Sequence, residues 1–246
     1  MKKEVNMFLE VTKYKNLTPS DQSLEKPQPE LETPVTKETI DLPPITTLDK
    51  PETLLHDAII NRQSLRKYSD DSLTMDELSY LLYMSIGIKQ TLKTNTRRTV
   101  PSAGARHAFD MYILVNNVKG LQKGVYRYSA LTHKLVIENI DNTLVDKITK
   151  ASLNQVMIKN SAVTFILVAD PYRMSYRYSE RGYRYLFLDA GHVSQNIYLV
   201  AETLQAGTVA IAAYDDDLMN EALNLDGINK FVIYLNAIGK KIHEEN

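Results

Sequence analysis

The stretch YRYLFLDAGHVSQNIYLVAETLQ, Tyr183 to Gln205, decides the fold. Leu186, Ala190, Val193, Ile197, Val200 and Leu204 recur at steps of four and three, which places them on one face of an α-helix. Gly207 lies just beyond and is expected to end this helix, a usual role for glycine past a C-terminus. Downstream, Val209–Tyr214 reads as a strand, the Asp215–Asp217 run as the cap of a short helix, and Phe231–Ala237 as a last strand. Upstream, Ala162–Ala169 reads as a buried strand and residues 142–158 as mostly helical. Gly124–Tyr128 and Lys134–Glu138 flank a short polar break and read as a hairpin. Met111–Val115 is strand-like, Thr74 to Glu77 is a capping box opening a helix, and residues 52–61 look helical. Helices and strands interleaved around one strong hairpin predict an α+β architecture with a mixed sheet, and no internal repeat is visible.

Seven of the nine prolines, at positions 19, 27, 29, 34, 43, 44 and 51, precede this pattern. Proline lacks an amide donor and fixes its own backbone, so residues 15–50 are expected to run extended. The chain thus divides into an arm, residues 1–50, and a globular domain, residues 51–246. The arm is either disordered or wrapped around a partner subunit, and Leu42, Ile45 and Leu48 are anchors that favour wrapping.

The bulk numbers exclude several classes of function. With 29 basic and 30 acidic side chains the net charge is −1, against a protein that works by neutralising phosphates. The absence of cysteine removes disulfides, thiolate metal sites and thiol nucleophiles. The opening MKKEVNMFLEVTKYKN holds no apolar run of signal-peptide length, and runs such as Val163–Ala169 are too short to span a bilayer. A soluble, cytoplasmic protein is expected, with no nucleic-acid or membrane partner.

Just before the long helix, PYRMSYRYSERGYRY carries four arginines and five tyrosines. Arg173, Arg177 and Arg181 recur every four residues. The stripe reads either as a structural face or as the wall of a site for an anionic, planar molecule; the charge balance argues against a nucleic-acid surface.

Four clusters carry candidate chemistry. In Asn61-Arg62-Gln63-Ser64-Leu65-Arg66, two guanidiniums and a hydroxyl at a helix end either cradle a phosphate or simply complement the helix dipole. In the run from Arg97 to His107, Pro101, Ser102, Ala103 and Gly104 form either a close backbone approach to a flat ligand or an ordinary loop. Val209 to Asp215 offers small side chains at a strand end, exposing backbone amides or packing as a plain buried strand. Gly239-Lys240-Lys241 is a basic tail. The histidines at 56, 107, 133, 192 and 243 show no metal-ligand spacing. His192, within the long helix, is expected to be packed or hydrogen-bonded. Nucleophile-elbow and phosphate-loop motifs are absent.

Taken in order, these clusters resemble the nitroreductase-like FMN flavoprotein superfamily over roughly residues 52–241. VTKYKN, PSAGARH, RYSERGYRYLFLDAGHVSQN and AIAAYDDDLMNEALNLDG look like its SagB-type branch, the thiazoline/oxazoline dehydrogenases of ribosomal-peptide tailoring. The resemblance implies a mostly antiparallel sheet flanked by helices, a long central helix, a domain-intertwined homodimer, and FMN at the subunit interface. Arg62, Gln63, Ser64 and Arg66 would then hold the phosphate and ribityl end, with Gln63 where the family often has a second arginine. Pro101, Ser102 and Ala103 would lie against the isoalloxazine from the other subunit, with Ala105 replacing a common asparagine. Backbone amides of Ala212 and Ala213 would face the flavin ring, and Lys240 would approach the phosphate. Arg177-Tyr178 matches a lysine–tyrosine pair of the branch. Arginine keeps its proton at neutral pH, which leaves Tyr178 as the base, with Arg177 supplying a neighbouring positive charge.

The implied function is oxidation of azoline rings in a modified peptide, with a cyclodehydratase as partner. The alternatives are a general NAD(P)H-dependent nitro or quinone reductase, or a flavin-binding scaffold subunit without turnover.

Overall fold

Alternation along residues 109–115 and 163–169 builds the centre of the molecule, which a computed structural model describes over residues 2–49 and 51–242. His243 and the arm's last residue, Lys50, lie outside the described residues. The strands are β1 (Thr39–Asp41), β2 (Ile88–Thr91), β3 (Thr96–Arg98), β4 (Phe109–Val115), β5 (Gly124–Ser129), β6 (Lys134–Asn139), β7 (Val163–Ala169), β8 (Ala206–Ile211) and β9 (Phe231–Lys240). The α-helices are α1 (Lys2–Val11), α2 (Leu55–Asn61), α3 (Met75–Ile86), α4 (Leu144–Ala151), α5 (Met157–Asn160), α6 (Pro171–Tyr178), α7 (Gly182–Thr203) and α8 (Asp216–Ala222).

Seven strands form one sheet in the order β1-β6-β5-β4-β7-β9-β8, and β2 and β3 pair separately. Every ladder is antiparallel. The parallel contacts are isolated bridges, Ser64 with Thr208 and Leu73 with Val118. This is the expected α+β fold, with a sheet that is antiparallel throughout rather than mixed, as the resemblance's mostly antiparallel sheet implied.

Both faces of the central strands are covered. Met111, Ile113, Val115, Phe165 and Leu167 pack with Leu78, Leu81 and Leu82 of α3 and Leu186, Val193 and Ile197 of α7. The intervening Tyr112, Leu114, Ile166 and Val168 pack with Leu144 and Ile148 of α4 and Met219 of α8. Successive side chains of a strand point to opposite faces, so a strand covered on both sides reads as a continuous apolar run. Helix α3 begins where its capping box requires. The Thr74 hydroxyl accepts from Glu77 N at 3.1 Å, and the Glu77 carboxylate accepts from Thr74 N at 2.9 Å.

Two expectations are corrected. Gly207 does not terminate α7; the helix ends at Thr203, Gln205 takes the left-handed turn at φ 52°, and Gly207 sits inside β8. A Cβ at Gly207 would lie 2.5 Å from Leu65 Cδ2, so close packing explains this glycine. His192 is exposed rather than packed, with its ring 3.9 Å from Asp189.

The arm lies along its own chain. Residues 39–41 add β1 to the edge of β6, Leu42 is buried, and Ile45 and Leu48 are half-buried. The buried Glu32 carboxylate accepts from Ser129 Oγ at 2.5 Å, Ala130 N at 3.0 Å and Leu131 N at 3.2 Å. Thr33 bonds the Asp110 carboxylate, which also holds Arg173 at 2.9 Å and Lys230 at 2.8 Å. Burial opposes ionisation of Asp110, but these two cations and the Thr33 hydroxyl hold its pKa well below the usual carboxylate range. Residues 2–11 are helical; the first proline is Pro19, so the proline argument does not reach them.

Candidate functional site

The segment after α2 runs along β8. Leu65 N donates to Thr208 O at 2.9 Å, and the Tyr68 hydroxyl donates to Leu65 O and Ala237 O, each at 2.9 Å. Glycine makes this approach possible: a Cβ at Gly207 would meet Leu65, and one at Gly239 would lie 2.5 Å from the Tyr68 ring. Along this seam the Arg62 guanidinium sits 5.3 Å over the Tyr198 ring, and Ser64 Oγ lies 2.9 Å from the Tyr198 hydroxyl. Arg66 donates to Ser64 O at 3.4 Å. Gln63, Ser64 and Arg66 are exposed. Among the described residues, neither Arg62 nor Arg66 has a carboxylate partner. The Tyr198 hydroxyl also accepts from Ala210 N at 3.0 Å, tying the seam to the strand end. Ala212 and Ala213 are exposed immediately beyond, and Gln155 donates to Ala213 O at 2.7 Å. Lys240, at the end of β9, is engaged within the chain: its ammonium pairs with Glu77 and donates to Leu204 O at 2.9 Å.

The second cluster is a strained loop on the other side of α7. Gly104, Ala105 and His107 all have positive φ, at 55°, 53° and 45°. Ala103 N donates to both oxygens of Asp189, at 3.1 and 3.3 Å, and the Ser102 hydroxyl also bonds that carboxylate. Ser102 Oγ accepts from His107 N at 2.9 Å, which closes the loop on itself. Burial raises the Asp189 pKa, against the pull of Ser102 and Ala103. Burial pushes His107 down to about 3, with Arg98 adding to the effect, so its ring is neutral. Pro101 is exposed, and Ser102 and Ala103 are half-buried.

Arg177 and Tyr178 pack onto this loop. A Cβ at Gly104 would lie 2.5 Å from the Tyr178 hydroxyl and 3.0 Å from Arg177 Cδ. The Arg177 guanidinium sits 5.6 Å over the Tyr178 ring, whose other neighbour is Tyr185, edge-on at 4.9 Å.

One chain therefore sets two separate clusters against one helix. Residues 62–66, the end of β8 and Tyr198 form the first; residues 101–104, Asp189 and the Arg177-Tyr178 pair form the second. Asp189 and Tyr198 are nine positions apart, about 13 Å along α7 and on opposite sides of it. Lys240 joins neither group directly.

The arginine stripe does more structural work than binding. Arg173 is buried against Asp110. Arg181 donates to Thr12 O at 3.0 Å, and Arg184 donates to Thr12 Oγ1 and Leu9 O, each at 2.7 Å. These two arginines clasp the start of the arm, and Arg177 is left exposed.

Two site residues escaped the sequence reading, Asp189 and Tyr198, and Glu77 was read only as part of its capping box, not as the partner of Lys240. Asp189 left a signal, since a carboxylate three positions after Leu186 falls among core positions. Tyr198 left none, because Arg62 and Ser64 lie far away in sequence.

Among the described residues no group of three His, Cys, Asp or Glu side chains could hold a metal, and no helix is long and apolar enough to cross a membrane. A profile described as the nitroreductase family matches residues 59–240. The protein MJ1384 of Methanocaldococcus jannaschii, named as a nitroreductase, is 35% identical over 79% of this chain and 94% of its own length. The microcin B17-processing protein McbC of Escherichia coli is 28% identical over 54% of this chain and 50% of its own length. In the solved E. coli microcin synthetase McbBCD complex with truncated pro-MccB17 bound, one chain superposes with a TM-score of 0.60 at 18% identity. That match covers 98% of this chain and 93% of the other. At that identity it shows a shared fold.

Proposed function

The chain belongs to the nitroreductase family, and on that footing we propose that it is an FMN-dependent oxidoreductase that oxidises thiazoline or oxazoline rings in a ribosomally made peptide. The observation that carries the cofactor is the seam at residues 62–66, where two arginines and a serine hydroxyl stand together without a carboxylate partner among the described residues. That donor set suits a phosphate, which guanidinium grips through parallel hydrogen bonds. When bound, FMN supplies two-electron redox chemistry.

Arg62, Ser64 and Arg66 would hold the phosphate end, Gln63 the ribityl chain, and the exposed backbone of Ala212 and Ala213 the ring edge. Lys240 reaches a phosphate only by exchanging Glu77 for it. Pro101, Ser102 and Ala103 would cover the ring from a second copy of the chain, since the two clusters lie apart in one copy. The Ser102 hydroxyl is engaged by Asp189 and His107 N, so its contribution is loop shape rather than a free donor. Tyr178 would accept the proton, with the Arg177 guanidinium over its ring supplying a neighbouring positive charge.

The likeness to McbC, named as a microcin B17-processing protein, supports the peptide substrate, and the McbBCD synthetase complex supports a multi-subunit assembly, in which a cyclodehydratase would be the partner. The chain spans half of McbC's length, so the whole of that activity is part of the proposal. Gently purified protein should be yellow and, with its partner enzymes, remove two hydrogens per azoline ring, read by mass spectrometry. Flavin-loaded protein that leaves the peptide unchanged overturns the substrate.

The match to MJ1384 along nearly all of that protein's length favours a second reading, a general NAD(P)H-dependent nitro or quinone reductase. Rapid anaerobic bleaching of the flavin by NADPH would select it; sluggish bleaching would favour the peptide enzyme.

A further inference from the structure

We infer that Tyr198 is a positioning residue that hands a hydrogen bond from the β8 backbone to Ser64, so that the serine's own proton points outward to a phosphate. This rests on the FMN reading above. The amide of Ala210 can only donate, so at 3.0 Å from the Tyr198 hydroxyl it fills an acceptor position there. The phenol proton is then free for Ser64 Oγ, 2.9 Å away. With the phenol donating, Ser64 keeps its own proton for a ligand. With the roles reversed, Ser64 would turn a lone pair outward between two guanidiniums.

An oxyanion drawn in by Arg62 and Arg66 selects the first arrangement, because the chain of bonds from Ala210 N through Tyr198 and Ser64 then runs in one direction. Bonds aligned this way polarise and strengthen one another. The same tyrosine also positions one of the cations, since Arg62 lies over its ring. Tyr198 thus holds Arg62 and Ser64 together against β8 from a helix whose other side faces the second cluster. The consequence is specificity. The relay ends on a phosphate oxygen, so it distinguishes FMN from riboflavin, which has the same ring and lacks the phosphate.

The test titrates deflavinated full-length protein with FMN and with riboflavin, following flavin fluorescence. The wild type should prefer FMN. Tyr198→Phe keeps the ring under Arg62 and removes the hydroxyl; it should lower FMN affinity roughly tenfold, the scale of one bond to a charged oxygen, and leave riboflavin unchanged. Ser64→Ala should lose a similar amount, and adding Tyr198→Phe to it should cost nothing further, because the tyrosine acts through the serine. Equal losses for both flavins, or additive losses in the double variant, overturn the assignment. A wild type that binds neither flavin overturns the FMN reading and this inference together. A wild type that prefers FMN, beside a Tyr198→Phe whose preference is undiminished, overturns this inference alone. Should Tyr198→Phe not fold, Ser64→Ala and Ser64→Thr decide. The relay stands if the preference falls about tenfold in the first and is kept in the second, and falls if the first retains it undiminished.

Discussion

Gly104 sits beneath the hydroxyl of Tyr178 with a φ of 55°, so two independent requirements exclude a side chain there. Gly104→Ala must both strain the backbone and push on Tyr178 and Arg177. A loss of about 1–3 kcal/mol is expected, the range for a residue forced into left-handed conformation. Thermal melting would check this. Because the displaced atoms belong to the proposed base and its neighbour, turnover should fall further than FMN affinity does; comparing the two separates a local shift from general unfolding. Gly104 was legible as a small residue in a suspect loop. Its particular partners were not, because Arg177 and Tyr178 follow some seventy positions later.

Among the elements, α7 and the two central strands were plain in the sequence, because each buries enough side chains to impose its own period. Short elements were not. Strand β1 holds three residues, one of them aspartate, and it is a strand because the edge of β6 offers partners for its backbone. Strands β2 and β3 are mostly polar and hold four and three residues. The arginine stripe shows the same limit for side chains: Arg173 and Arg177 share α6, but Ser179, at φ 49°, breaks the helix before Arg181, and Asp110, Leu9 and Thr12, which engage three of its arginines, lie far away in sequence. Gly207 was visible but assigned to the wrong element, and its true role can be tested. Gly207→Ala places a Cβ against Leu65 and should lift residues 64–66 off β8. A stability loss of about 1–3 kcal/mol is expected from such overpacking. Weaker FMN binding should accompany it in the same titration.

At the scale of the molecule, acid should act in two stages. His107 is neutral in the fold and has its pKa pushed from 6.5 to about 3. The unfolded chain therefore binds more protons between those values, and stability falls as pH drops through that window, at most by about 1.4 kcal/mol per pH unit. The depressed pKa of Asp110 has the same sign in a lower window. Its contribution is full above the unfolded value of 3.8 and is lost as pH falls below it. His107→Asn cannot charge and tolerates a positive φ. Urea midpoints measured against pH should stay flatter for this variant between pH 6.5 and 4 and rejoin the wild-type descent below. An unchanged profile would show that His107 does not set the first stage.

The docked arm bears on how the chain is made. Synthesis runs from the amino end, so Thr33 leaves the ribosome before any surface it will rest on exists. Asp110 follows 77 residues later and Lys230 follows 197 later. At ordinary translation speeds that is a wait of about 10–40 s for the last of them. A segment kept that long without a home is exposed to pairing with neighbouring nascent chains. Its prolines, which deny it a full row of amide donors, protect it until its own sheet edge emerges.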